Sequence, residues 1–324
     1  MTTTDRQPIV AFVMSTNYAG STVLGLAMGR HSRAAFVGEP ALLLRRRDDG
    51  SFRHRKFCTS CNDEDGARCP VWRRSTIDTV RQDPSQAYDL VWKPLGAPPV
   101  LVDASKDLDW MFARAAHVER TRCVHISKPV EAFVASVRVR QKKALPIEVI
   151  GLDWVARNRE IREECARSSV PYLHVTYEGL ALDFEGTMRR VMDFVGLDHE
   201  KEQASFWEGQ PHYVKGNPGV ASNLDASRVE KEPGVNREIY RENHRRIFFD
   251  DKWRKLLSSS DVERLYGLPA VADESRTLGY ENPLLTSGFG LAAKVRGHTY
   301  ETGLHLVRAV RRRAKTLSGL VGRR

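Results

Sequence analysis

The run IVAFVMSTNYAGSTVLGLAMGRHSRAAFVGE, Ile9–Glu39, decides the fold. Its first six residues, Ile9–Met14, are apolar and rich in β-branching, the pattern of a buried strand. Small polar residues follow from Ser15 to Thr22. Val23–Arg30 then reads as a helix whose Gly25, Ala27 and Gly29 permit close packing. A strand, a small-residue loop and a helix in this order form an anion cradle. Loop N–H groups converge on the anion and the helix N-terminus adds its partial positive charge. A plain βα turn that uses Gly20 for its geometry fits the same residues.

Compared with the phosphate loop GxxxxGK[ST], Gly20 and Thr22 match. Ser15 stands for the first glycine and Ser21 for the lysine. Without that lysine a nucleoside triphosphate loses its main charge partner, so a kinase or ATPase reading is disfavoured.

The rest of the chain alternates the same way. Strands are expected at Val100–Val102, Arg122–Ser127 and Pro171–Thr176. Helices are expected at Ala41–Arg47, Arg73–Arg81, Leu108–Val118, Val130–Lys143, Ile147–Ser168, Phe184–Val195, Ile239–Phe249, Lys252–Ser258 and Asp261–Tyr266. Alternation of this kind implies a parallel sheet with crossover helices. The expectation is a P-loop-like α/β fold of three layers. Asp48–Val71 and Gly209–Asn236 lack periodicity and read as irregular. No linker splits the chain, so residues 1–287 read as one domain and 288–324 as a basic appendage.

The net charge of +10 belongs mostly to that appendage, which carries nine Lys/Arg against one acid and leaves +2 for the other 287 residues. A balanced body without aromatic-basic interleaving argues against nucleic acid as a partner. Val307, Val310, Ala314, Leu317 and Val321 follow helical spacing with arginines on the other faces. Such a helix lies on an anionic membrane surface or packs on the body. No run of 18 apolar residues occurs, and MTTTDRQ does not resemble the start of a signal peptide. A cytoplasmic location is expected, with the inner membrane surface as a further possibility. Five cysteines, an odd number, do not suggest a secreted disulfide scaffold.

Several motifs, taken in order, resemble the PAPS-dependent sulfotransferases, in particular their bacterial, carbohydrate- and tyrosylprotein-sulfotransferase-like branch. YAGSTVLGLAMGRHSRAAFVGE is similar to their 5′-phosphosulfate loop and following "GE". CVHISKPVEAFVASVRVR is similar to their 3′-phosphate motif, with Lys128 in the place of an arginine and Ser136 at the matching spacing. VDASK, PYLHVTYEGL, HYVKGNPG and Leu278-Gly279-Tyr280 resemble later family motifs. The resemblance runs from Ile9 to Tyr280. It implies that 3′-phosphoadenosine 5′-phosphosulfate (PAPS) is the donor and adenosine 3′,5′-bisphosphate the product, with no metal in the reaction. It implies donor binding by Asn17, Tyr18, Ala19, Gly20, Ser21, Thr22, Val23, Lys128, Ser136 and Asn217. Three departures stand out. Tyr18 replaces a basic loop residue, Lys128 gives a point charge in place of a bidentate fork, and no arginine follows "GN", with Lys215 and Arg228 as the candidate substitutes.

Glu39 follows a short apolar run at the carboxyl end of a strand, where parallel sheets bind ligands. There it reads as the base that takes the acceptor's proton, given burial that raises its pKa. A residue that merely caps the next helix is the other reading. Lys106 reads as the partner of the leaving oxygen, and Asp103 as its orienter or a second base. The acceptor is expected to be a small molecule, a glycan or a glycolipid. A degenerate, nucleotide-binding homologue without transfer activity is the alternative reading.

Cys58-x2-Cys61-x7-Cys69 has half the spacing of a zinc knuckle. His54 or Asp63 fits as a fourth ligand. A cysteine-bearing insert packed by Trp72 is the plainer reading. Cys123, Cys165 and His125 read as core residues, His31 as the end of a helix, and His212 as the one histidine with a possible role.

Overall fold

The computed structural model describes residues 7–47, 49–52, 57–62, 66–114, 120–140, 145–232 and 234–280. The basic appendage with its helical pattern lies outside them, as do His54 and Asp63.

Five strands form one parallel sheet: β1 (Ile9–Met14), β2 (Ala34–Gly38), β3 (Val100–Asp103), β4 (Thr121–Ser127) and β5 (Tyr172–Thr176). Their order is β2-β3-β1-β4-β5. The apolar opening stretch is the middle strand, buried on both faces as its composition requires. Side chains alternate across it. Ala11 and Val13 belong to one core cluster, Phe12 and Met14 to the other. Helix α1 (Ser21–Gly29) and the helix Phe184–Phe194 supply the first cluster. The helices Arg74–Gln82 and Ala87–Trp92 supply the second. The result is the expected three layers.

Two compact units divide the chain, Met1–Lys128 with Glu160–Phe249 and Pro129–Arg159 with Asp250–Arg324. The sheet lies wholly in the first. In the second, the helices Val130–Arg140, Ser259–Tyr266 and Pro269–Thr277 pack with the first part of Ile147–Arg167. Tyr266 donates from its hydroxyl to Glu131 Oε2 at 2.8 Å, and the ring of Trp154 lies 6.5 Å from that of Tyr280. No helix among the described residues is long and apolar enough to cross a membrane.

Three local expectations are corrected. Pro40–Leu44 is a single 3-10 turn, and the chain then extends. Gly209–Asn236 is not irregular throughout. Asn217 caps the helix Pro218–Leu224, accepting from Gly219 N–H, and Asp225 caps Ala226–Lys231 in the same way. Short elements with polar caps carry no apolar period, but the Asn-Pro pair was a usable start signal. The helix expected over Ile239–Phe249 runs instead from Gly234 to Glu242.

Candidate functional site

The anion cradle begins where β1 ends. Tyr18 has φ 66° and Gly20 has φ 95°. Left-handed residues flanking Ala19 turn the chain into a concavity of N–H groups. Gly20 is the N-cap of α1, and no side chain caps that helix. The first intrahelical bond is from Leu24 N–H to Gly20 O at 3.0 Å. The N–H groups of Ser21, Thr22 and Val23 therefore have no carbonyl of their own helix to meet. A Cβ on Gly20 would sit 2.4 Å from the Tyr177 ring, so both space and φ require glycine. Thr16 Oγ1 is buried without a partner among the described residues. It is a loop hydroxyl that the sequence reading did not count. Asn17 is exposed, Tyr18 half-buried and Ala19 buried.

Glu39 lies past β2. It occupies the N-cap position of the 3-10 turn, but its side chain caps nothing. Instead Lys106 Nζ donates to Glu39 Oε1 at 2.8 Å and to Ala104 O at 2.9 Å. Both side chains are largely buried. The capping reading of Glu39 gives way to an ion pair between the ends of β2 and β3. A left-handed turn holds Lys106, with φ 56°. Asp103 fixes that turn. Its Oδ1 accepts from Ser105 N–H at 2.6 Å, and its Oδ2 accepts from Tyr88 Oη at 2.8 Å and Trp110 Nε1 at 3.0 Å. Burial pushes the Asp103 carboxyl above its usual range against the pull of these donors. It is fully buried, and its bonds hold the turn that carries Lys106.

Register brings the two clusters together. β3 lies beside β1, with Phe12 opposite Asp103. A strap from the late chain then ties Glu39 to the cradle. Val214 donates to Val37 O at 3.0 Å and accepts from Glu39 N–H at 2.7 Å. Three residues on, Asn217 N–H donates to Thr22 Oγ1 at 3.0 Å. A span of three residues reaches at most about 10 Å. The main chain at Glu39 and the Thr22 hydroxyl therefore belong to one site. Asn217 contributes its backbone here, since its side-chain oxygen is used in the cap.

Lys128 follows β4 and is 2% exposed, an uncommon environment for a lysine. Ser136 is buried on the helix Val130–Arg140 in the second unit. Of the two substitutes for the missing arginine, Lys215 is exposed. Arg228 is engaged by Asp225 Oδ2 at 3.2 Å and by Thr59 O at 3.0 Å. His125 is a core residue as expected, with Nδ1 2.7 Å from the Tyr172 hydroxyl. Buried His31 accepts the Arg33 N–H at Nδ1, 2.9 Å away.

Cys58, Cys61 and Cys69 meet at His212, whose Nδ1 lies 3.9, 3.3 and 3.6 Å from their sulfurs. His212 opens the strap that reaches Glu39. Sequence reasoning singled it out but did not connect it to cysteines some 150 positions away.

No family model matches the chain, and no curated protein does. Among solved structures it is similar to the sulfotransferase domain of the olefin synthase from Synechococcus PCC 7002. That match is 16% identical with a TM-score of 0.56, covering 86% of this chain and 98% of that domain. It is also similar to the sulfotransferase domain of the curacin biosynthetic pathway, at 17% identity and a TM-score of 0.54, covering 86% of this chain and all of that one. The chain thus has the fold of these sulfotransferase domains.

Proposed function

We propose that the protein moves the sulfuryl group of PAPS to an acceptor hydroxyl, with Glu39 as general base. The observation that carries this reading is the Glu39–Lys106 pair, tied through Val214–Asn217 to an uncapped anion cradle. Fold likeness to sulfotransferase domains supports it. In the transfer, a bond forms from the acceptor oxygen to sulfur while the bond from sulfur to the bridging phosphate oxygen breaks. Each protein group has one task. The N–H groups of Ser21, Thr22 and Val23 hold the 5′-phosphate side of the donor. Tyr18 and the Thr16 hydroxyl line the loop, and Asn217 fixes Thr22. The resemblance assigns the 3′-phosphate to Lys128 and Ser136. Lys106 shares its ammonium between Glu39 and the leaving oxygen, where negative charge develops. Among the described residues Glu39 Oε2 takes no hydrogen bond, and it receives the acceptor's proton.

We infer a carbohydrate or glycolipid hydroxyl as acceptor, because the sequence motifs resemble the carbohydrate-sulfotransferase-like branch. Residues 1–287 act as the transferase body. Residues 288–324 supply a basic contact to an anionic membrane surface on the cytoplasmic side. The test of the base is Glu39→Gln. Turnover should fall by about 10²–10⁴-fold, while calorimetry shows adenosine 3′,5′-bisphosphate binding as before. Full activity of that variant removes Glu39 from the mechanism. Tyr18 in a basic position and Lys128 in an arginine position favour one second reading, a nucleotide-binding protein that transfers nothing. It predicts bisphosphate binding with no sulfated product from any acceptor.

A further inference from the structure

We propose that Cys58, Cys61, Cys69 and His212 bind one structural zinc ion, which pins the strap carrying Tyr213–Asn217 against the site. The inference is independent of sulfuryl transfer, because its readouts are metal content, spectra and amide exchange.

The donor set comes first. Three thiols and one imidazole nitrogen lie within 4.8 Å of one another. The ring nitrogen facing the sulfurs is Nδ1, at 3.3 to 3.9 Å from each. A tetrahedral ion with bonds of about 2.3 Å to sulfur and about 2.05 Å to nitrogen requires nitrogen-to-sulfur edges of about 3.6 Å. The observed edges bracket that value. Three sulfurs and a nitrogen with no open position form a closed structural set, and soft thiolates with imidazole select zinc. Coordination at Nδ1 requires the ring proton to sit on Nε2. Binding releases the three thiol protons to water, so the balanced step is one zinc ion in and three protons out.

The local backbone agrees. Cys61 N–H is directed at the Cys58 sulfur, and Trp72 N–H donates to the Cys69 sulfur at 3.2 Å. Each is a three-residue step from sulfur to N–H, so the segment makes the same turn twice. Asn62, just after Cys61, takes φ 48°, as the exit from the first turn requires. The next layer of bonds orients the ligands. Trp72 Nε1 donates to His212 O at 3.0 Å, and Thr59 N–H donates to Tyr213 O at 2.8 Å. Cys58, Cys69 and Trp72 are fully or almost fully buried, in a segment with no helix or long strand of its own among the described residues. Four coordinate bonds supply the cross-links that such a segment lacks.

The consequence reaches the site. His212 stands two residues before Val214, whose carbonyl accepts the Glu39 N–H. It stands five before Asn217, which holds Thr22. The ion therefore fixes the start of the strap whose end positions both clusters. Zinc takes no part in the reaction but sets where the reacting groups stand.

The test uses the full chain purified under reducing conditions with a tag that contains no histidine. Elemental analysis should find about one zinc per chain. Replacement by cobalt(II) chloride should give the thiolate charge-transfer band and the intense visible bands of a tetrahedral ion. A metal-poor preparation that takes up one cobalt with that spectrum also supports the site. Cys61→Ser, at the half-exposed ligand, should cut retained zinc at least about tenfold against a chromogenic chelator. Should that variant not fold, the cobalt spectrum of the unaltered chain decides. Zinc removal should raise amide exchange at Tyr213 and Val214 by about tenfold or more. Less than about a tenth of an equivalent of zinc with no tetrahedral cobalt spectrum overturns the site, as does iron in its place or a disulfide between two of these cysteines. Unchanged exchange after removal overturns the pinning.

Discussion

The anion cradle and the cysteine knuckle sit on the same unit and are built in opposite ways. The cradle is contiguous, from Ser15 to Val23, and its donors are backbone N–H groups aimed by positive φ at Tyr18 and Gly20. The knuckle is assembled from side chains of residues 58–69 and of residue 212, held by turns without regular structure. A contiguous backbone site is written in neighbouring residues, so strand, small loop and helix suffice to find it. A side-chain site gathered over 150 positions depends on where the fold carries its last member. The two meet at one joint, Gly38, where β2 ends against Val214.

The largest effect is expected at that joint. Gly38 has φ 86°, and a Cβ there would lie 2.3 Å from Val214 O and 2.7 Å from Val214 N. The obstacle is backbone and cannot rotate away. Gly38→Ala should cost about 3 kcal/mol or more, from the left-handed φ and the displaced strap together. The denaturant midpoint should fall, and both bisphosphate binding and retained metal should fall with it. A loss of one without the other would show that the cradle and the knuckle are not joined here.

Gly20→Ala should separate them. It strains φ and drives a methyl group into the Tyr177 ring, which is anchored by its hydroxyl on Phe248 O at 2.9 Å. About 2 kcal/mol of stability and at least about tenfold in bisphosphate affinity should be lost. Metal content should stay at the unaltered level. Trp72→Phe is the converse. It removes the indole bond to His212 O and leaves that carbonyl unpaired, for about 1–2 kcal/mol. Zinc should be released about tenfold more readily, with bisphosphate affinity changed less than twofold. Equal damage to both ligands from either variant would collapse the distinction.

The same contrast explains what could be read from the chain. Ile9–Met14, Val100–Val102, Arg122–Ser127 and Pro171–Thr176 are apolar runs between turn signals, and each is a strand within a residue or two. Glu39 follows the short apolar run 35–37 and Lys106 lies three residues past β3, so the sequence places both near strand ends, although nothing in it requires their ion pair. Asp103 had a polar neighbourhood in the sequence and proved fully buried, because Tyr88 and Trp110 arrive from helices that no local pattern placed beside it. The strap carries no periodic pattern of its own for the same reason. Its order comes from Val37, Glu39 and Thr22, all about 180 residues earlier. Cys58-x2-Cys61 signals metal chemistry in the sequence, but no local spacing links it to His212, which among the described residues is the side chain that meets the three cysteines.

The smallest expected effect tests the far end of that strap. Thr22 Oγ1 accepts the Asn217 N–H at 3.0 Å, and the Thr22 N–H lies in the uncapped first turn of α1, so one residue joins the strap to the proposed cradle. Thr22→Val keeps the branched shape and removes only the oxygen. The Asn217 N–H is then left half-buried without an acceptor, which costs about 1 kcal/mol. The melting temperature should drop by a few degrees. If the hydroxyl also donates to the bound phosphate, bisphosphate affinity should fall a further several-fold, and Thr22→Ser should restore it. If stability falls but affinity does not, Thr22 serves only the strap, and the cradle works through backbone donors alone. Either result keeps metal content unchanged, since the far end of the strap can loosen while His212 stays held by its own bonds to the knuckle.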